Sequence, residues 1–342
     1  MTDRMPQLPA ELQAELAAVL AAWAQGQDPW RDFPRTVRLD DEAAAAYRGR
    51  KILVTGGGGF IGGALARVLA GLGAEVLALD KDEAGLVRLQ DAARADGGQP
   101  PVLALADCRI ADRMSTILAA FPPAIVFHCA AHKYLPLLES QAQEAWANNC
   151  AAVVQLGRQL GSCGTEAFVL VSTDKAVEPC SQLGASKQGA EHALQSEGAQ
   201  WARRAVTVRL ANVLASGGSV VERYWRAMRQ GLPLEVRHPA MERYFLTLPQ
   251  AVALLLAAGA GAAAGELWAP RLEAPVPIQD LAAAMQALGR GLGLPPPPEP
   301  PVQITAPRPG EKLSEQLLAT AELARAQPLA AAGLPIWRLP PA

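Results

Sequence analysis

Residues 51–62 read KILVTGGGGFIG, and GALARVLAGL follows at 63–72. The opening apolar run is typical of a buried strand, and the segment after the glycines has the composition of a helix. Gly56, Gly59 and Gly62 lie between them at GxxGxxG spacing. In this order the glycines permit a tight turn, a close approach of the backbone to a pyrophosphate, and close packing of the helix on the strand. The stretch therefore predicts a dinucleotide phosphate loop; the alternative is a glycine-rich turn without a ligand.

Short apolar runs alternate with longer amphipathic segments from Lys51 to Leu210. The runs are KILVT at 51–55, EVLAL at 75–79, PVLAL at 101–105, AIVFH at 124–128, AFVLV at 167–171 and AVTVRL at 205–210. Helical segments begin near Phe60, Glu83 and Ala111. This alternation predicts an α/β fold, a doubly wound parallel sheet of the Rossmann type.

The chain divides into three regions by pattern. We expect a helical N-terminal lead-in over 1–49, with helical spacing from Pro9 to Trp23 and an irregular charged segment after it. A dinucleotide-binding Rossmann domain is expected over 50–215. The region 216–342 is expected to form mainly a smaller substrate-binding part, with some segments returning to the sheet.

Composition excludes several classes of protein. The 342 residues are 50% hydrophobic and 19% charged, with a formal net charge of −2, so the chain is globular and has no basic excess for nucleic acid or an anionic membrane. The five cysteines show no CxxC spacing, and no metal is expected. The N-terminus, MTDRMPQLPAELQ, lacks the basic start and apolar core of a signal peptide, so we expect a cytoplasmic protein.

Two acids follow the second and third predicted strands. Asp80 stands at the distance expected for a ribose-binding acid, and its carboxylate would repel a 2′-phosphate, which favours NAD over NADP. Lys81 beside it keeps NADP as the less favoured alternative. Asp107 has two interpretations of equal weight: it contacts the adenine amino group, or it caps a helix that begins at Ile110.

An acid and an amine follow the apolar run AFVLV. Ser172-Thr173-Asp174-Lys175 comes directly after it, and residues just past the carboxyl end of a strand face the ligand crevice of a doubly wound sheet. We therefore expect Asp174 and Lys175 in an active site; the alternative is a solvated surface pair. Lys187 begins a predicted helix.

A series of segments occurs in one order along the chain. They are TGGGGFIG at 55–62, VFHCAAHKYLPLLES at 126–140, NN at 148–149, VLVSTDKAVEP at 169–179, LGASK at 183–187, VRLANVLASGGSV at 208–220, HPAMERYFLT at 238–247 and RPGEK at 308–312. From about Arg50 to about Leu318 the chain thus resembles the nucleotide-sugar 4,6-dehydratases of bacterial polysaccharide biosynthesis. These extended short-chain dehydrogenases act on UDP-N-acetylglucosamine or close relatives.

The resemblance implies NAD as the cofactor and a role for each catalytic residue. Asp174 protonates the departing hydroxyl of carbon 6, Lys175 removes the carbon 5 proton, and Thr173 hydrogen-bonds the carbon 4 oxygen. Lys187 binds the nicotinamide ribose and supplies a positive field. The expected cofactor-binding residues are Gly56, Gly59, Phe60, Ile61, Gly62, Asp80, Lys81, Asp107, Ala130 and Lys187.

One position departs from the wider superfamily. Most short-chain dehydrogenases have a tyrosine four residues before the lysine that Lys187 matches, and here that position is Leu183. The larger, usually membrane-attached members of the family have methionine there, with the threonine taking over. The resemblance therefore implies that the configuration at carbon 5 is retained.

The resemblance also implies contacts on the substrate side. The expected substrate-binding residues are Lys133, Asn149, Asn212, Arg243, Arg308 and Glu311. A guanidinium clamps a diphosphate and a carboxylate holds ribose hydroxyls, which suits Arg308 and Glu311. The alternatives are a solvated loop lysine for Lys133, a cap for Asn149, and an ordinary turn followed by a helix start for RPGEK.

Two other functions stay open. A nucleotide-sugar 4-epimerase shares the fold, cofactor and first oxidation, but it has no hydroxyl to eliminate and usually lacks the Thr-Asp-Lys triplet. A non-catalytic NAD-binding scaffold would not need Asp174 and Lys175. We expect a nucleotide-sugar substrate and a homo-oligomer, without nucleic acid or membrane as partners.

Overall fold

The computed structural model describes residues 8–30, 37, 39–97 and 99–341. The chain forms two compact units. The first, here called the sheet unit, contains Asp32–Leu210, Pro249–Arg271 and Gln316–Ala342. The second, here called the small unit, contains Met1–Arg31, Ala211–Leu248 and Leu272–Glu315.

The helices and strands are numbered in chain order. The helices are α1 (Ala10–Ala24), α2 (Asp41–Ala45), α3 (Phe60–Gly71), α4 (Glu83–Ala95), α5 (Ala111–Ala120), α6 (Leu135–Glu139), α7 (Ala142–Trp146), α8 (Ala152–Leu160), α9 (Gln182–Trp201), α10 (Val220–Arg229), α11 (Leu248–Gly261), α12 (Ile278–Gly291) and α13 (Thr320–Leu323). The strands are β1 (Lys51–Thr55), β2 (Glu75–Asp80), β3 (Val102–Leu105), β4 (Ile125–His128), β5 (Ala167–Thr173), β6 (Arg204–Leu210), β7 (Asn212–Val213), β8 (Leu234–Val236), β9 (Glu242–Arg243), β10 (Phe245–Leu246), β11 (Leu267–Pro270), β12 (Val276–Pro277), β13 (Val302–Ile304), β14 (Gln327–Ala331) and β15 (Leu334–Leu339).

The sheet unit is built on a nine-stranded sheet with the order β14-β15-β11-β6-β5-β4-β1-β2-β3. The strands from β3 to β11 in this order are parallel, and β15 and β14 add as antiparallel neighbours. The predicted α/β fold with a doubly wound parallel sheet is confirmed. The antiparallel pair lies in the region 216–342, from which some segments were expected to return to the sheet.

Helices cover both faces of this sheet because successive strand residues point to opposite sides. On one face, Leu53 and Phe168 pack in a buried cluster with residues of α5, α8 and α9. On the other, the ring centroid of Tyr47 lies 6.2 Å from that of Phe127, and its hydroxyl donates to the carbonyl of Leu256 in α11. The apolar runs that form β1, β2, β4, β5 and β6 are thus buried on both sides, as in other parallel sheets, whereas Val102 and Leu105 of the edge strand β3 are exposed.

A buried ion network joins β5, α9, β6 and α13 in the sheet unit. The Ser172 hydroxyl donates to Oε1 of Glu191 at 2.5 Å, and Nη2 of Arg209 lies 2.7 Å from Oε2 of the same carboxylate. Arg209 also pairs with Glu322 at 2.6 Å. Because the side chains of Arg209 and Glu191 are only 4% and 2% exposed, each depends on the other for compensation of its charge.

The small unit has an apolar core of its own. Leu12, Leu16 and Leu20 of α1 are buried there with residues of α10 and α12, and the ring centroids of Trp23 and Trp225 are 5.8 Å apart. The N-terminal helix predicted from residue spacing therefore belongs to this core. In the structure this helix groups with 211–248 and 272–315.

The segment between α1 and the sheet differs from expectation in one respect. The sequence indicated irregular structure there, but Asp40 caps a short helix, α2, with its side chain accepting from the amide of Ala43 at 2.7 Å. Residues 31–36 and 38 of this segment lie outside the described residues. In the ranges that the structure describes, no helix combines the length and apolar character needed to span a bilayer.

A carboxylate of α1 is half-buried in the small unit. Oε1 of Glu15 accepts from the amide of Leu248, the first residue of α11, at 3.1 Å. Burial raises the pKa of Glu15 to about 7, although hydrogen bonds from Leu248 and Thr247 act in the opposite direction. The ionised carboxylate is therefore less favourable in the folded chain than in the unfolded chain.

Glu15→Gln should raise the melting temperature above pH about 7 and leave it unchanged below pH about 4.5. The wild-type chain loses stability as the pH rises through this window, because Glu15 ionises in the unfolded state first. Glutamine keeps an acceptor for the amide of Leu248 and has no charge to bury. Thermal unfolding across this pH range measures the effect, with exposed Glu11→Gln as the control. A change in melting temperature that is the same at all pH values would contradict a raised pKa of Glu15.

Arg209→Met should lower the free energy of unfolding by roughly 3–5 kcal/mol, because it leaves the buried Glu191 carboxylate without the guanidinium that it pairs with. The double variant Arg209→Met/Glu191→Met should lose less than the single one. Urea unfolding provides the measurement. The control is Arg158→Met, which removes an exposed pair with Glu197 and should change stability little. If Arg209→Met lowers the free energy of unfolding no more than Arg158→Met does, the buried ion network contributes little to stability.

Candidate functional site

The glycine loop between β1 and α3 has no room for side chains. Gly56 has φ of 72°, and a Cβ on it would lie 2.6 Å from the backbone nitrogen of Ala130. A Cβ on Gly62 would lie 2.1 Å from the carbonyl oxygen of Gly56. The helix begins at Phe60 after Gly59, with no side-chain cap at that glycine. The loop thus has the close backbone packing and the uncapped helix N-terminus that suit a pyrophosphate.

A cleft with an empty volume of about 510 Å³ opens beside this loop in the sheet unit. Its lining comes from the carboxyl ends of β1 to β4 and includes Gly56, Gly59, Asp80, Lys81, Asp107 and Ala130, together with Leu79, Ala106, Cys108, Cys129, Ala131, His132 and Asn148. Six of the residues predicted to bind a cofactor therefore share one cleft. Phe60, Ile61 and Gly62 lie in the first turn of α3, next to Gly59.

Asp80 is fixed by the loops on either side of it. Its Oδ2 accepts from the amide of Gly58 and its Oδ1 from the amide of Asp82, each at 2.9 Å. The carboxylate lies at the end of β2, half-buried on the cleft. Lys81 extends towards Asn148, with 3.5 Å between Nζ and Oδ1. The acid is thus held in place by the backbone, with the amine beside it.

The carboxylate of Asp107 forms an ion pair with Arg109, a residue that was not predicted to belong to the site. The guanidinium of Arg109 donates to both carboxylate oxygens of Asp107 at 2.6 to 3.0 Å, and this hydrogen bonding lowers the pKa of Asp107. Arg109 also pairs with Glu144 at 2.7 Å. Helix α5 has Ile110 at its N-cap, without a side-chain cap. The helix-cap interpretation of Asp107 is therefore wrong, since its carboxylate binds Arg109 instead.

Thr173, Asp174 and Lys175 form a compact cluster at the carboxyl end of β5. Oδ1 of Asp174 accepts from the Thr173 hydroxyl at 2.8 Å and from Nζ of Lys175 at 3.0 Å. The Asp174 side chain is 0% exposed and that of Lys175 is 18% exposed. The alternative of a solvated surface pair is therefore wrong.

Lys187 lies buried in the first half of α9, close to that cluster in the same unit. Its Nζ donates to the carbonyl of Val171 on β5 at 2.6 Å. Burial lowers the pKa of Lys187 to about 8, although the negative charge of Glu191, one helical turn further on, acts in the opposite direction. An amine with a pKa this close to neutrality suits proton and charge control at a reacting centre.

Asn149 was predicted to contact the substrate, but its side-chain amide is hydrogen-bonded to other groups of the protein. It lies buried in a π-helical turn, Ala147–Ala151. Its Oδ1 accepts from the amides of His132 and of the Asn148 side chain, and its Nδ2 donates to the His132 carbonyl and the Ser186 hydroxyl. Protein groups take all the hydrogen-bonding positions of this amide. We therefore propose Asn149 as a positioning residue for the loop after β4, in which Lys133 lies exposed beside His132.

Leu183 fills an apolar site at the start of α9. It is 5% exposed and packs with Leu138 and Ala145, with Leu135 at the edge of the cluster. Helix α9 is capped by Ser181, whose hydroxyl accepts from the amide of Gly184 at 3.0 Å. The leucine is thus part of the packing between α6, α7 and α9.

The small unit holds the other predicted substrate residues. Asn212 on β7 donates through Nδ2 to the carbonyl of Tyr244 at 3.0 Å. The buried guanidinium of Arg243 donates to the carbonyls of Glu242, Leu313 and Lys312 at 2.7 to 2.9 Å. Arg243 therefore holds the segment that follows RPGEK.

Arg308 and Glu311 close a turn in the same unit. Oε2 of Glu311 accepts from the amide of Arg308 at 3.0 Å, and Gly310 within the turn has φ of 74°. The guanidinium of Arg308 has no hydrogen-bond acceptor among the described residues. The helix start expected after RPGEK is absent from this described stretch, since α13 begins only at Thr320.

Several residues of the site were missed by sequence reasoning. His128, in the quoted segment VFHCAA, is fully buried and bonded through Nδ1 to the Thr55 hydroxyl at 2.9 Å; burial lowers its pKa to about 3. Glu191 stands one helical turn after Lys187, which was a usable signal. The sequence offers no signal for Arg109, because its partner Glu144 is 35 residues away along the chain. The described residues contain no cluster of three or more His, Cys, Asp or Glu side chains placed to hold a metal ion.

Comparison with known proteins adds both sequence and fold relatives. The chain is 35% identical over 288 residues to the probable polysaccharide biosynthesis protein EpsC of Bacillus subtilis, a match that covers 83% of this chain and 48% of that protein. It spans about half the length of that relative.

Solved structures share the fold at lower identity. Pen from Bacillus thuringiensis matches with a TM-score of 0.77 at 24% identity, covering 86% of this chain and 89% of that one. DesIV of Streptomyces venezuelae, a dTDP-glucose 4,6-dehydratase, matches with a TM-score of 0.66 at 22% identity, covering 79% and 88%. Structures described as UDP-glucose 4-epimerases match as well. This similarity establishes the fold without separating the two reactions.

The family described as "Polysaccharide biosynthesis protein" matches residues 52–332. This range includes the glycine loop, the Thr-Asp-Lys cluster and RPGEK, so it holds the predicted site residues of both units. The chain therefore belongs to this polysaccharide biosynthesis protein family.

Proposed function

We propose that the chain is an NAD-dependent 4,6-dehydratase of a nucleotide-activated sugar, UDP-N-acetylglucosamine or a close relative, that serves polysaccharide biosynthesis. The observation that carries the proposal is the buried contact between Asp174 and Lys175 at the carboxyl end of β5. Strand β5 lies beside β4 in parallel, so the cluster is at the same edge of the sheet as the cleft.

The cleft fits a dinucleotide. Backbone atoms approach each other at Gly56 and Gly62 so closely that no Cβ could be accommodated, and this packing fixes the loop beside the uncapped N-terminus of α3, which suits a pyrophosphate. Asp80 would hold the adenosine ribose hydroxyls, and its charge favours NAD over NADP. Solved relatives of the same fold carry NAD by their descriptions. When bound, NAD would take the hydride of carbon 4 and return it to carbon 6.

Asp174 and Lys175 supply the acid and the base. The elimination requires a proton on Asp174 and a free electron pair on Lys175. The 3.0 Å hydrogen bond from Nζ to Oδ1 is the path along which a single proton passes from the amine to the carboxylate. Lys175 then takes the carbon 5 proton, and Asp174 gives its proton to the departing carbon 6 hydroxyl, which leaves as water.

Thr173 and Lys187 act on the carbon 4 oxygen. The Thr173 hydroxyl lies at the end of β5 and donates to Asp174 in the structure. Because Leu183 is packed in an apolar cluster, it moves no proton, and we assign the contact to the carbon 4 oxygen to Thr173. The proton that this oxygen loses on oxidation passes by way of the Thr173 hydroxyl to solvent, and one proton from solvent restores Asp174 at the end of the cycle. Lys187 would bind the nicotinamide ribose and favour a negative charge on that oxygen. With the same side chain removing and returning the carbon 5 proton, the configuration there is retained.

The substrate side is assigned to the turn and strands of the small unit. Arg308 would bind the diphosphate, and Glu311 the ribose of the nucleotide. The side chains of Arg243 and Asn212 donate hydrogen bonds to backbone carbonyls of neighbouring segments. Through these segments they would shape the uridine site. Lys133 would reach the sugar from the loop after β4.

The buried acid-amine pair favours a dehydratase over a 4-epimerase. An epimerase returns the hydride to carbon 4 and eliminates nothing, so it has no use for a proton donor aimed at a leaving hydroxyl. A non-catalytic scaffold would have no reason to bury a carboxylate against an amine at the edge of the cleft, because such a pair rarely gains stability.

Incubation of the purified chain with UDP-N-acetylglucosamine should give a 4-keto-6-deoxy sugar without added reductant, as seen by mass spectrometry. Asp174→Asn and Lys175→Met should each lower turnover by about 10² to 10⁴, because each removes one proton-transfer group. Both variants should bind NAD like the wild type. The exposed Asp112→Asn serves as a matched control with normal turnover.

Two results would oppose this assignment. The absence of product with a panel of UDP- and dTDP-sugars, from protein that binds NAD, would rule out the dehydratase. Near-normal turnover in either site variant would show that the acid and base roles belong to other residues.

A further inference from the structure

Three arginines meet in the small unit through contacts between α10, β8 and β13. The Tyr224 hydroxyl donates to the carbonyl of Glu235 at 3.0 Å, which joins α10 to β8. Strand β8 pairs in parallel with β13, and the amide of Thr305 extends this pairing to Val236 at 2.9 Å. Arg223 precedes Tyr224, Arg237 follows Val236, and Arg308 comes three residues after Thr305. The fold therefore brings these side chains from distant parts of the sequence to one place.

The positive charge of this cluster exceeds the negative charge that faces it. Nη2 of Arg237 pairs with Glu235 at 2.7 Å, and its Nη1 lies 3.4 Å from the Thr305 hydroxyl. The guanidiniums of Arg223 and Arg308 have no acceptor in the part of the chain that the structure describes. Burial, followed by repulsion from Arg308 and Arg237, lowers the pKa of Arg223. Two groups act on Arg223 in the opposite direction, first Tyr224 and then the Glu235 carboxylate, whose side chain is 43% exposed.

The Nε atoms of Arg223 and Arg237 add to this imbalance. Both are buried and without a hydrogen-bond acceptor among the described residues. A desolvated guanidinium without a matching anion costs folding free energy, and proteins keep such an arrangement where a ligand supplies the missing charge. The geometry thus favours an anion with at least two negative charges.

We propose that Arg223 and Arg237 form, with Arg308, a binding site for the diphosphate group of a nucleoside diphosphate-sugar. This inference rests on the proposed function and extends it, because the resemblance placed Arg308, Arg243 and Asn212 near the nucleotide diphosphate and assigned no role to Arg223 or Arg237. A diphosphate offers two groups of tetrahedral oxygens, and planar guanidiniums bind these with paired hydrogen bonds. The site should therefore prefer a nucleoside diphosphate to the monophosphate, which has one phosphate fewer.

Isothermal titration of the full chain with UDP and with UMP tests the proposal. Arg223→Gln and Arg237→Gln should each weaken UDP binding by about tenfold, the loss typical of one charge-assisted contact. UMP binding should weaken less. Arg223→Lys, which keeps the charge, should recover part of the UDP affinity. The matched control is Arg229→Gln, which removes an exposed arginine from the same helix and should leave UDP affinity unchanged.

The outcomes separate this inference from the proposed function because the titration needs no turnover. Loss of UDP affinity in both glutamine variants, with normal melting temperatures and a silent control, supports the diphosphate site even in a chain that dehydrates no sugar. UDP affinity equal to that of the wild type in both glutamine variants, or failure of the wild-type chain to bind UDP, overturns the site. If the wild-type chain dehydrates the sugar and both glutamine variants bind UDP like the wild type, the diphosphate site is overturned and the proposed function stands.

Discussion

The parallel direction of the central strands is the constraint on which the rest of the sheet unit depends. Because β1, β2, β3, β4 and β5 all run the same way, their carboxyl ends lie along one edge of the sheet. The glycine loop, the acid after β2, the loop after β4 and the Thr-Asp-Lys cluster after β5 each continue directly from one of these ends. Chemistry-bearing residues far apart in the sequence therefore meet at one edge of the sheet.

Features that depend on local sequence could be predicted, and features that depend on tertiary contact could not. The strands, the glycine loop and the site of Asp174 and Lys175 follow from apolar runs and from the chemistry of residues at strand ends. The pairing of Arg109 with Glu144 could not be read, because 35 residues separate the two in sequence. The hydrogen-bonded amide of Asn149 shows the same limit, because its main partner, His132, is 17 residues away. The local pairing of Asp107 with Arg109 was missed for another reason, since an aspartate before a helix has the same appearance whether it caps the helix or binds a neighbour.

Burial explains why polar groups of this fold acquire unusual properties. Lys187 lies close to Cys129 and Glu191, and its loss of hydration outweighs the attraction of that carboxylate. Glu191 in turn binds Arg209, which contacts Glu322 in the last part of the chain. The C-terminal residues are therefore linked through buried charges to the helix that carries Lys187. In the small unit, by contrast, one carboxylate, that of Glu235, faces the three guanidiniums of Arg223, Arg237 and Arg308, and we propose that a ligand supplies the remaining negative charge.

The proposed reaction depends on a hydride that leaves carbon 4 of a hexose and returns to carbon 6. Between these two steps, Asp174 and Lys175 eliminate water across carbons 5 and 6. The most direct measurement follows the label from UDP-N-acetylglucosamine that carries deuterium at carbon 4. The account predicts that the deuterium appears in the methyl group at carbon 6 of the product. Deuterium found again on carbon 4, in a sugar that keeps its carbon 6 hydroxyl, would contradict it.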